Sequence, residues 1–81
     1  MKITLKTFAS IRDIIGFNQL ELDIPDDATA GSVIETLAEK HEGLASHRET
    51  LLIAVNSTYC GSDTTLKEGD TMALFPPVSG G

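Results

Sequence analysis

The residues with the clearest chemical potential are the last seven, Phe75-Pro76-Pro77-Val78-Ser79-Gly80-Gly81. Two prolines fix an extended direction, and Ser79-Gly80-Gly81 then carries almost no side-chain bulk. At about 3.3–3.6 Å per residue, the stretch after Phe75 reaches at most about 20 Å. A thin arm of that length can enter a narrow channel in another protein and deliver a terminal carboxylate there. That carboxylate, with a pKa of about 3.3–3.7, is ionised at neutral pH and is a poor electrophile, so acyl chemistry at Gly81 requires prior activation. A Gly-Gly terminus can also be a plain frayed end. Here, however, the glycines are the final two residues and follow a rigid proline pair on an apolar strand.

Other reactive side chains carry weaker signals. Cys60 is the single cysteine, which excludes an internal disulfide or an all-cysteine metal site, and it reads as a small apolar residue. His41 and His47 lack a companion cysteine and read as helix-end and surface residues, so no metal site is expected. Asp26-Asp27 lacks the further oxygen ligands of a calcium loop, and Arg12 beside Asp13 reads as a surface ion pair. There is no Ser-His-Asp set, acid pair or glycine-rich phosphate loop.

The elements that would present the tail follow from pattern. Ile3, Leu5 and Thr7 alternate with Lys2, Thr4 and Lys6 as a half-buried strand, with Phe8 and Ala9 continuing it. Ser10 is the expected cap of a short helix through Ile15, stopped by Gly16. Leu20, Leu22 and Ile24 mark a second strand, ended by Pro25-Asp26-Asp27. Thr29 caps the main helix, with Val33, Ile34, Leu37, Ala38 and His41 at helical spacing and Gly43 as its stop. Leu44 to Thr50 reads as an irregular link with at most one helical turn. Leu51 to Val55 is a continuous apolar run, expected to be buried on both sides. Thr58 to Cys60 reads as a short edge strand, Asp63 to Leu66 as a loop, and Lys67-Glu68-Gly69-Asp70 as a tight turn. Thr71 to Phe75 is the last strand, beyond which Pro76 and Pro77 bar ladder pairing. The result is an α+β sheet with one main helix across one face, and the strand order does not follow from the pattern. The division is a domain over 1–75 and a flexible tail over 76–81.

The chain has 81 residues, 41% of them hydrophobic and 22% charged, which is the composition of one small globular domain. Six basic residues against twelve acidic ones give a formal charge of −6. No basic face is available for nucleic acid or an anionic membrane, whereas a partner with a basic face would be attracted. No run approaches the ~20 apolar residues of a membrane span, and the alternating first six residues lack an apolar signal core. A cytoplasmic protein is expected.

The Phe-Pro-Pro-Val-Ser-Gly-Gly ending resembles that of the small subunit of molybdopterin synthase, a sulfur carrier of ubiquitin-like, β-grasp fold. Phe8-Ala9-Ser10-Ile11-Arg12-Asp13-Ile14-Ile15-Gly16, Leu52-Ile53-Ala54-Val55-Asn56 and Leu66-Lys67-Glu68-Gly69-Asp70 are similar to other segments of that family, so the resemblance covers the whole chain. It implies that an ATP-dependent, E1-like enzyme adenylates Gly81 and that sulfur then displaces AMP to give a thiocarboxylate. The tail of Pro76, Pro77, Val78, Ser79, Gly80 and Gly81 would enter the large synthase subunit, within a heterotetramer, and donate sulfur to a pterin precursor (cyclic pyranopterin monophosphate). The catalytic side chains would lie on the large subunit, and this chain would bind no cofactor itself. Phe8, Leu52 and Phe75 are expected to form an apolar docking face beside the tail. The same activation chemistry also serves ubiquitin-like protein modifiers and sulfur carriers for thiamine or tRNA thiolation.

Overall fold

In the computed structural model, residues 1–77 are described. The elements run β1 (Lys2–Thr7), α1 (Ala9–Ile15), β2 (Gln19–Asp23), α2 (Ala30–Lys40), α3 (Glu42–Ala45), β3 (Leu52–Val55), β4 (Thr58–Cys60) and β5 (Thr71–Phe75). The five strands form one mixed sheet in the order β2-β1-β5-β3-β4. β5 lies parallel to β1 and antiparallel to β3, so the last strand fills the centre of the sheet.

Period-2 alternation places Ile3 and Leu5 of β1, Ile53 of β3, and Met72 and Leu74 of β5 on one face. These side chains are buried with Val33, Ile34 and Leu37 of α2, Ile11 and Ile15 of α1, Leu44 of α3, and Leu66. Thr7 is the one buried polar side chain among the described residues, and its hydroxyl donates to the carbonyl of Phe17. That bond removes the penalty of burying an unpaired hydroxyl.

Thr29 caps α2 as its sequence predicts. Its Oγ1 accepts from the Ser32 N–H at 3.2 Å, and the Thr29 N–H donates to Ser32 Oγ at 2.9 Å, a reciprocal capping box. Gly16 ends α1 in the left-handed region at φ 91°, with its N–H donating to the Arg12 carbonyl at 2.7 Å.

Four local expectations are corrected. β1 stops at Thr7, and Ala9 begins α1 with φ 52°. Phe8, in extended conformation, occupies the cap position expected of Ser10, with no side-chain cap bond. α2 ends at Lys40, before Gly43, because His41 turns extended (φ −130°, ψ 95°). Gly43 instead lies inside α3, where a Cβ would meet Ile14 Cγ2 at 3.3 Å. Its small size serves the approach of α3 to α1, and chain termination is not its role. The run expected to be buried on both sides is only partly so: Ile53 and Ala54 are buried, whereas Leu52 and Val55 are half-buried.

Asn56 and Ser57 join β3 to β4 as a two-residue hairpin with φ 51° and 72°. Positive φ at both positions is the geometry that matches strand twist in a tight hairpin. Asn56 also ties this turn to the one before β5. Its Nδ2 donates to Asp70 Oδ1 at 2.8 Å, and its Oδ1 accepts from the Thr71 N–H at 2.9 Å. Asp70 Oδ2 in turn accepts from the Lys67 N–H at 2.8 Å. These bonds hold the start of β5, and therefore the strand that leads into the tail.

Candidate functional site

The sheet face opposite α2 carries the candidate site. Cross-strand register sets Leu52 beside Phe75, and Ala54 between Ala73 and Tyr59. The Phe8 ring stacks on Phe75 with centroids 4.6 Å apart and planes 7° from parallel. Tyr59 approaches Phe75 from the other side at 6.1 Å, tilted by 54°. Phe75 thus sits at the centre of an apolar patch formed from β3, β4, β5 and the residue before α1. The small side chains of Ala54 and Ala73 leave this patch low, so the aromatic rings form its relief.

Phe8 is 41% exposed and Tyr59 69% exposed, while Leu52 and Phe75 are half-buried. The structure therefore brings Phe8, Leu52 and Phe75 together outside the main core. Exposed aromatic groups gathered at one place mark a surface suited to a protein partner. The backbone at Ala9 contributes directly. Its positive φ turns the chain sharply between the extended Phe8 and the helix, leaving the Phe8 ring lying over β5. Lys6 is the register neighbour of Ala73 on the same face, so the charge bordering the patch on the β1 side is positive although the chain as a whole is acidic.

β5 ends at Phe75, and Pro76 and Pro77 follow it directly from the patch. Val78, Ser79, Gly80 and Gly81, the remaining tail positions singled out in the sequence, lie outside the described residues. Tyr59 is a site residue that the sequence does not single out. Its only signal was alternation along β4, which sets it on the opposite face from Cys60.

Cys60 turns toward the other face and packs against the core cluster. Arg12 and Asp13 approach at 3.9 Å with both side chains largely in solvent, an exposed pair of small energetic weight. Among the described residues, no three histidine, cysteine or acidic side chains converge as a metal site. Nor is any helix among them long and apolar enough to cross a membrane.

A mixed β-grasp sheet holding one long helix, with a proline-led C-terminus leaving the central strand, defines a ubiquitin-like protein. The ThiS family matches residues 5–81. The chain is 42% identical over 76 residues to a molybdopterin synthase sulfur carrier subunit of Haemophilus influenzae, covering 91% of this chain and 93% of that protein. It is 32% identical to small archaeal modifier protein 3 of Haloferax volcanii, over the full length of both. Among solved structures, a Haloferax volcanii protein determined in solution superposes with a TM-score of 0.91 at 32% identity, covering 100% of this chain and 87% of that one. In a complex of subunits 1 and 2 of the Helicobacter pylori molybdopterin-converting factor, the matching chain is 26% identical with a TM-score of 0.68, over all of both chains. The chain belongs to the ThiS family of ubiquitin-like proteins.

Proposed function

We propose that this chain is the sulfur-carrier subunit of a molybdopterin synthase and works through Gly81. In the first step the Gly81 carboxylate attacks the α-phosphorus of ATP on an E1-like enzyme, forming an acyl adenylate and releasing pyrophosphate. A hydrosulfide equivalent then adds to the carbonyl carbon, the C–O bond to AMP breaks, and a thiocarboxylate remains. That thiocarboxylate enters the large subunit, where its sulfur bonds to a carbon of the pterin precursor in place of an oxygen, and water then cleaves the C–S bond to Gly81 and returns the carboxylate. ATP belongs to the activating enzyme, the reacting side chains to the large subunit, and the setting is the cytoplasm.

The observation that carries this reading is the near-full-length match to the Haemophilus influenzae sulfur carrier subunit. The aromatic patch beside the root of the tail supplies the physical means. Ordering Ser79, Gly80 and Gly81 in a channel costs about 3–6 kcal/mol. Covering one exposed Phe or Leu contributes about 1.5–3 kcal/mol, so Phe8, Leu52, Phe75 and the neighbouring Tyr59 can together offset that cost.

The test is removal of Gly81. A chain ending at Gly80 folds as the full chain does and supports no sulfur transfer in a reconstituted mixture of activating enzyme, ATP, sulfur donor and large subunit. Transfer at the full-length rate by that truncated chain contradicts the proposal.

The full-length match to an archaeal modifier protein favours a second use of the same terminus, attachment to target lysines. Gly80-Gly81 remnants on lysines of other proteins, found after proteolysis of cells carrying the chain, identify that use.

A further inference from the structure

The edge of the sheet remote from the aromatic patch has features of its own. β2 is an end strand, paired among the described residues only with β1. The Ile24 N–H donates to the Met1 carbonyl at 2.8 Å and the Thr7 N–H to the Asn18 carbonyl at 3.0 Å, which fixes the phase of the ladder. In an antiparallel pair the bonded positions alternate, so Leu20 and Leu22 turn their backbone groups to β1. The N–H and C=O groups of Gln19, Glu21 and Asp23 point outward, along an edge that contains no proline and no bulge.

Between this edge and α2 runs a largely apolar cleft lined by Leu22, Ile24, Val33 and Leu37, with Asp23, Thr36 and Lys40 also in its wall. Leu20, Leu22 and Ile24 pack on the core yet remain half-exposed. On the opposite face of the same strand stand the exposed carboxylates of Glu21 and Asp23, with Asp26 and Asp27 just beyond; across the ladder on that face Lys2 is the register partner of Asp23 and Lys6 that of Gln19, so the carboxylates dominate only at the outer edge. Among the described residues, neither Glu21, Asp23 nor Asp27 makes an ion pair within 4.0 Å; Asp26 meets the N-terminal ammonium at 3.4 Å while its side chain stays in solvent.

These features select one occupant. A second copy pairing antiparallel through β2 in the registers centred on Glu21 or Leu22, which use most of the strand, would set acidic side chains against acidic ones, which is unfavourable. A strand with basic residues on one face and branched apolar residues on the other meets carboxylates on the outer face and the cleft on the inner one, and completes the backbone ladder. We propose that the β2 edge, with the cleft between β2 and α2, is a docking site for an extended segment of a partner protein that alternates basic and aliphatic residues.

This site is separate from the Phe8–Phe75 patch and does not depend on the chemistry of Gly81. The probe is an acetylated, amidated six-residue peptide of alternating lysine and valine, titrated into the isotope-labelled full chain and followed by amide resonances. Binding saturates below about 1 mM, with the largest shifts at Gln19 to Ile24 and at Ser32, Thr36 and Lys40, and the amides of Glu21 and Asp23 gain hydrogen-exchange protection. The doubly substituted chain Glu21→Lys/Asp23→Lys, whose melting temperature reports that it folds, loses affinity at least tenfold. The single variant Thr36→Arg, on the exposed side of α2, also weakens binding without touching the strand. Absence of saturable shifts, equal binding of a glutamate–valine peptide, shifts centred on the Phe8–Phe75 patch, or concentration-dependent self-association through β2 each overturns the proposal.

Discussion

Replacement of Phe8 by Ala tests the docking face most sharply. A phenylalanine side chain presents about 200 Å². With 41% of Phe8 exposed, about 80 Å² of it stays in water on the free chain. At about 25 cal/mol per Å², covering that area on a partner contributes about 2 kcal/mol. Phe8→Ala should therefore raise the Kd for the synthase large subunit by about ten- to thirtyfold. The same substitution removes the stack on Phe75 and some packing, at about 1–3 kcal/mol of folding stability. That cost falls within the roughly 4–12 kcal/mol expected of a domain of this length, so the variant should remain folded. The assay is calorimetric titration of the large subunit with wild type, Phe8→Ala and Phe17→Ala. Phe17 is more exposed, at 61%, but stacks on no ring among the described residues and serves as the control. A Kd for folded Phe8→Ala within twofold of wild type, or an equal loss in Phe17→Ala, would refute the assignment of the face.

The remaining predictions concern the frame and the carrier. Ser57→Gly relieves a positive φ of 72° in the β3–β4 hairpin and should stabilise the fold by about 0.5–1 kcal/mol, read as a higher melting temperature. Asn56→Ala removes two hydrogen bonds to Asp70 and Thr71 and should lower stability by about 1–3 kcal/mol, read as an earlier urea midpoint. Gly31→Ala places a Cβ 2.9 Å from the Ser62 carbonyl oxygen, where α2 meets the loop before Thr65, and should cost about 1–3 kcal/mol in the same assay. Cys60→Ser should leave sulfur transfer intact because the thiol packs on the core side of the sheet; complete loss of transfer in a folded variant would move the reactive sulfur to the side chain.

Much of the frame is legible in the sequence because burial imposes periodicity. Ile3, Leu5, Met72 and Leu74 alternate because one face of the sheet is covered, and Thr29 with Ser32 forms its cap within four residues. The strand order is not legible, since β5 inserts between β1 and β3 through contacts made across the whole length of the chain. Gly43 misleads because the close approach of α3 to Ile14 calls for the same residue as a helix stop. Ala9 misleads because a left-handed alanine is an uncommon choice, held here by the tertiary position of Phe8 over Phe75. Phe8, Leu52 and Phe75 are legible as apolar residues able to offset the ordering of the tail, but it is the Phe8–Phe75 stack and the Leu52–Phe75 register that bring them together. Tyr59 is not legible because its approach to Phe75 depends on the hairpin register, which sequence spacing leaves unstated.

The most direct measurement is the intact mass of the chain after incubation with the activating enzyme, ATP and a sulfur donor. Replacement of one Gly81 carboxylate oxygen by sulfur adds about sixteen mass units, and fragmentation localises the gain to the C-terminal residue. An unchanged mass under conditions that load a known sulfur carrier, or a gain localised to Cys60, would contradict the carrier role.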